Sequence, residues 1–173
     1  MSRVIAPEVN RTRPPRHGEE RTQLDAFLDY YRDTLMTKCA GLTPEQLRLR
    51  SVPPSSLTLL GLVRHMAEVE RWWFRRQFDG AEIGDLFCTE EDPDYDFNGA
   101  VDSDPEADFA AYREEVEAAR STVTGRPLDE TFTDRRGNTF DLRWVYLHMI
   151  EEYARHCGHA DLLRECVDGA TGT

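Results

Sequence analysis

The chain has almost no lysine: Lys38 is the only one among 173 residues, and the other twenty basic residues are arginine. That bias follows the codon supply of a GC-rich genome and says little about function. Net positive charge is absent too. The formal net charge is −12, and because residues 1–16 carry four arginines against Glu8 alone, the rest holds −15. An acidic body lacks the clustered cations that neutralise phosphates, which argues against nucleic acid as a partner. No apolar run approaches the roughly 18 residues of a membrane span, so no membrane role is expected. The N-terminus, MSRVIAPEVNRTRPPRHGEE, has no apolar signal-peptide core, which points to a cytoplasmic protein. There is no CxxC pair either. Cys39, Cys88, Cys157 and Cys166 are irregularly spaced, as expected of reduced thiols and not of a disulfide scaffold.

What is present is helical periodicity. Residues 1–18, rich in proline and arginine, read as a flexible or surface-hugging arm. The remainder, 19–170, reads as one domain. Leu24, Phe27, Leu28, Tyr31 and Leu35 recur at spacings of three and four and predict an amphipathic helix ending near Ala40-Gly41. Thr43-Pro44-Glu45-Gln46 opens a short turn of helix. A second long helix starts near Ser56 or Thr58, buries Leu59, Leu62, His65, Met66, Val69, Trp72, Trp73 and Phe78, and stops at Asp79-Gly80. A third runs from Asp104-Pro105-Glu106 to Gly125, and a fourth from Asp141 or Leu142 to about Val167. Between the last two, Thr131–Thr133 and Asn138–Phe140 alternate like a small β-hairpin. The expected fold is all-α, a four-helix bundle with a long acidic loop.

That loop, 81–108, contains Asp85, Glu90, Glu91, Asp92, Asp94, Asp96, Asp102 and Asp104 and no lysine or arginine. Asp94, Asp96, Asn98 and Gly99 follow the first half of a calcium loop, but Pro105 stands where the bidentate carboxylate belongs. The better reading is a solvated loop that packs Tyr95 and Phe97 over the bundle.

Chemistry concentrates in LRWVYLHMIEEYARHCGHADLLRE, residues 142–165, which places His148, Glu152, His156 and His159 along one side of a helix. Glu152 and His156 are one turn apart, about 6 Å in rise, and can share a divalent ion. His148 is about 12 Å from His156 and cannot join it on the same ion. Either His148 with Glu152 or Glu152 with His156 can form the pair, and His65 is the best third ligand. Two imidazoles and a carboxylate with an open position describe a catalytic zinc-type site. His159 is placed to support His156 or to line the pocket. Tyr146, Tyr153 and Trp72 can serve as pocket walls, with a core role the simpler reading of each.

LTLLGLVRHMAEVERWWF followed by LRWVYLHMIEEYARHCGHADLLRE, together with the acidic DPDYDF loop, resembles the DinB-like superfamily and its branch once called mini-circle proteins. The resemblance covers nearly all of 19–170. It implies a four-helix bundle holding a divalent metal on three side chains, often three histidines, the second and third four residues apart and the third followed by a step containing glycine. His156-Cys157-Gly158 matches the third position, with Glu152 where many members have histidine. A related mycothiol-dependent maleylpyruvate isomerase is similar in using His, Glu and His. The resemblance therefore implies His65, Glu152 and His156 as metal ligands, with His148 a pocket neighbour. That isomerase has a second, C-terminal domain without counterpart here, so the expectation is broader than its reaction.

The expected function is a metal-dependent transferase or isomerase, with zinc the first choice and nickel among the others, using a low-molecular-weight thiol such as mycothiol on a small electrophile. His148 or His159 would move protons or orient ligands. The alternatives are a non-catalytic metal-binding protein, as a homodimer, and a hydrolase working through metal-bound hydroxide.

Overall fold

The computed structural model describes residue 6 and residues 9–172. Four long helices dominate the described residues: α1 (Glu20–Cys39), α3 (Leu59–Glu70), α5 (Pro105–Val123) and α6 (Leu142–Asp168), with the short α2 (Pro44–Leu47) and α4 (Tyr95–Asn98) between them. The strands β1 (Thr131–Thr133) and β2 (Thr139–Asp141) pair antiparallel with Phe132 opposite Phe140. The fold is thus the expected all-α bundle with a small hairpin. No helix among the described residues is long and apolar enough to cross a membrane.

The helix boundaries have local causes. Thr43 closes a capping box with Gln46 around Pro44. Thr58, Asp104 and Asp141 each accept a backbone N–H of the helix that follows. These caps satisfy amide donors that the first helical turn leaves orphaned. At the far end of α6, Gly169 adopts φ 77°, the left-handed conformation that glycine takes without steric cost.

α1 packs chiefly on α6, and α3 on α5, with α3 also meeting α6 across the interior. The core between them includes Leu35, Leu47, Leu62, Met66, Phe109 and Met149, all 0–1% exposed. Outside the helices, Val9 packs against that core, and Arg11 donates to Thr34 while lying over the Tyr30 ring. Of the N-terminal arm, residues 1–5, 7 and 8 lie outside the described residues.

The second helix departs from expectation. It is α-helical only to Glu70 and continues as a π-helix over Arg71–Phe78, closed by the Asp79 N–H donating to the Phe74 carbonyl five residues back. Apolar spacings of three and four do not distinguish the two windings, and π segments gather at functional sites. The acidic loop is also more ordered than a solvated connection, since it folds into α4 and a 3₁₀ turn, Gly99–Val101.

A polar network crosses the bundle interior. Arg32 of α1 makes two hydrogen bonds to Glu70 of α3, at 2.8 and 2.7 Å. Tyr153 of α6 donates to the same carboxylate at 2.8 Å and meets the Tyr112 hydroxyl of α5 at 3.0 Å. Burial alone would weaken Arg32's hold on its proton, but the Glu70 carboxylate reverses this and keeps the guanidinium firmly charged. Tyr146 is core as well, and donates to Asp25 at 2.6 Å.

Candidate metal centre

His65 projects from the middle of α3 towards α6, where its ring lies 4.7 Å from that of His156, centroid to centroid. One ligand atom from each of His65, Glu152 and His156 falls within 4.8 Å of the other two. Two ligands on one zinc ion stand at most about 4 Å apart, so the group needs only a small inward adjustment to share a cation. Among the described residues it is the only such convergence of three histidine, cysteine or acidic side chains. His148 is not part of it.

The three side chains are held differently. On His65 the Nδ1 atom is 2.7 Å from the Asp96 carboxylate, which leaves Nε2 as the free ring nitrogen. A carboxylate behind a ligating histidine fixes both the tautomer and the ring, as second-sphere partners of metals commonly do. Phe97 stacks on the other side of the His65 ring, at 4.5 Å and 25°. His156 is 9% exposed, and its Nδ1 lies 3.3 Å from Nδ1 of His159. Burial first, then the neighbouring His65 and His159, push its pKa down to about 4. The imidazole is therefore neutral at physiological pH, with a lone pair available. Glu152 stands between two histidines, 3.5 Å from Nε2 of His156 and 3.6 Å from Nε2 of His148. Those distances are too long for strong hydrogen bonds. The carboxylate is committed to neither. A neutral imidazole, an oriented imidazole and an uncommitted carboxylate suit a divalent cation.

The acidic loop reaches the site because α3 anchors it on both sides of His65. Arg64 donates to the carbonyl oxygens of Asp96 at 2.8 Å and Tyr95 at 3.1 Å, and pairs with Asp108 at 2.8 Å. Glu68 accepts from the amides of Leu86 at 2.9 Å and Phe87 at 2.7 Å. The loop also sits tightly on the helix backbone, for a Cβ at Gly61 would come within 3.4 Å of the Phe97 ring. Asp96 is 4% exposed and turned inward. Asn98 donates to Asp92, and the loop's carboxylates form no converging group of three among the described residues. The calcium pattern has no counterpart in this geometry. Phe97 packs as expected, whereas Tyr95 is 45% exposed.

Asp96 is the site residue that sequence reasoning missed. It stood among many acidic residues, and its one signal was general: a ligating histidine needs a partner for its second nitrogen. The other expected residues fall around the rim. His148 is stacked on Trp144, with ring centroids 4.8 Å apart and planes 12° apart, and its edge meets Trp73 at 4.7 Å. His159 lies beside His156. Trp72 is 40% exposed and lines a cavity of about 330 Å³ that His65, Trp73, Asp96 and Phe97 also border. Tyr153, by contrast, belongs to the interior network.

The sequence profile of a family described as mycothiol-S-transferase matches residues 23–169. No curated protein matches the chain.

Proposed function

The chain belongs to the mycothiol S-transferase family, and from that premise we propose that it transfers a low-molecular-weight thiol to a small electrophile at a divalent metal held by His65, Glu152 and His156. The observation that carries this reading is the convergence of those three side chains, with Asp96 behind His65. When bound, a cation such as zinc supplies Lewis acidity that stabilises a thiolate at neutral pH.

The chain's own residues do the rest. Asp96 holds His65 by Nδ1 and presents Nε2 to the site. Burial keeps His156 neutral, and His159 steadies its ring through Nδ1. Glu152 supplies negative charge and, through its second oxygen, faces His148. Held between Trp73 and Trp144, His148 is positioned to take the thiol proton and return it to the electrophile's carbon skeleton after the sulfur adds. The exposed indole of Trp72 offers a wall for the electrophile. The bundle over 19–170 is the unit that carries this chemistry, and its four free cysteines suit a reducing, cytoplasmic setting.

The test is a screen of electrophiles with and without mycothiol, before and after removal of metal by a chelator. Turnover should need both, and Glu152→Ala should abolish it while the protein stays folded. Turnover without thiol would make the protein a hydrolase instead, and equal rates after complete metal removal would sink the metal's role.

A further inference from the structure

The acidic surface has a local exception next to the site. Arg135 and Arg136 lie at the tip of the β1–β2 hairpin, and neither forms a salt bridge among the described residues. Most other arginines of the bundle are paired: Arg32 with Glu70, Arg64 with Asp108, Arg75 with Glu115, Arg126 with Glu130. The adjacent Asp134 is engaged inside the turn, where it accepts from the amides of Arg136 and Asn138 and from the Asn138 side chain at 2.8–2.9 Å. Those donors, the Asn138 side chain first, and last the Arg136 charge, hold its pKa below the usual range.

The two arginines open onto a cavity of about 400 Å³ whose other walls are Trp72, Trp73, Gln77, Phe140 and the turn-bound Asp134. Its walls are therefore largely aromatic, and its charged groups, two arginines against the one carboxylate of Asp134, leave it net positive. Trp73 also borders the cavity next to His65 and touches His148, so the two spaces share a wall beside the candidate metal centre. The space next to His65, by contrast, is also lined by Glu68, Asp85, Asp94 and Asp96 and disfavours anions. A molecule with a flat body and a negative group suits the hairpin side alone, since indole faces stack planar systems and guanidinium pairs bind carboxylates in plane.

We propose that Arg135, Arg136, Trp72, Trp73 and Phe140 form a specificity subsite for a small planar carboxylate, aromatic or conjugated, whose reactive end points past Trp73 towards His65 and Glu152. Naming that molecule as the electrophile rests on the thiol-transfer reading; the subsite's preference for a planar acid does not. Arg135 and Arg136 act by binding and orientation and take no part in bond making.

Isothermal titration calorimetry with cinnamate and its neutral amide, cinnamamide, separates the two. The purified protein, without added thiol, should bind cinnamate about 5- to 10-fold more tightly than the amide, the scale of two exposed charge contacts. The R135Q/R136Q double variant, altered only at an exposed turn, should lose that preference while binding the amide unchanged, and Trp72→Ala should weaken both ligands. Equal binding of acid and amide by the native protein, or a preference surviving in the double variant, would overturn the subsite. Thiol-dependent turnover of a neutral electrophile by the native protein reports on the proposed function separately: its absence would sink that reading, while an acid-over-amide preference lost in the double variant would still support the subsite.

Discussion

Two polar clusters bridge α3 and α6 within neighbouring turns of both helices, and they are built on opposite terms. In the first, Arg32, Glu70, Tyr153 and Tyr112 are almost wholly buried, and every contact is a hydrogen bond of 2.7–3.0 Å between a donor and an acceptor. In the second, His65, Glu152 and His156 converge without bonding to one another, at separations of 3.5 Å and more between Glu152 and its histidines. The residues at the junction are consecutive, Glu152 facing one cluster and Tyr153 the other. A satisfied buried network stabilises the fold and is costly to open. A set of acceptors gathered without a donor leaves its stabilisation to whatever binds there. The difference separates a structural cluster from the proposed metal centre on a single helix.

Four substitutions can break or sharpen that contrast. The largest effect is expected from Glu70→Ala, which removes the buried partner of Arg32 and leaves that charge only the half-exposed Asp29; urea unfolding should show a loss of about 3 kcal/mol, and a loss under 1 kcal/mol would mean the network is loose. Next is His156→Ala. Zinc at a hundredfold excess over its dissociation constant should stabilise the native protein by about 2.7 kcal/mol, a shift the variant should lack, while the metal-free proteins differ by no more than about 1 kcal/mol. An identical zinc-induced rise in melting temperature would remove His156 from the site. Asp96→Asn should lower metal affinity about 10- to 100-fold by competition against a chromophoric chelator; unchanged affinity would reduce Asp96 to a loop anchor. The smallest change is Tyr112→Phe, which deletes one hydroxyl from the closed network. It should cost about 1 kcal/mol and leave metal affinity untouched, and a fall in that affinity would show that the two clusters are coupled.

Much of this was legible from apolar spacing and caps. Leu24 to Leu35 placed α1, Thr58 and Asp104 marked helix starts, and the hairpin was visible around Arg135-Arg136-Gly137. Within the site, helical geometry alone left Glu152 free to pair with His148 or His156, and the resemblance favoured His156. The coordinates place both histidines near the carboxylate and only His156 in the converging group. What stayed hidden depends on non-local contact. The π winding after Glu70 keeps the same apolar residues in the same order as an α-helix, so periodicity is blind to it. Asp96 resembles its acidic neighbours until Arg64 and Glu68 pull the loop onto α3. The Arg32–Glu70 pair joins residues 38 apart that no local pattern relates.

The anchoring of the acidic loop has a thermodynamic consequence. Because Asp96 holds His65 and lies on the loop that Arg64 and Glu68 fasten, occupancy at His65 and ordering of residues 85–98 are linked equilibria. Whatever free energy a ligand draws from the oriented imidazole, the loop gains in stability by the same amount, and a loosened loop returns the penalty to the ligand. A surface segment rich in repelling charge thus becomes a reciprocal readout of the centre it covers.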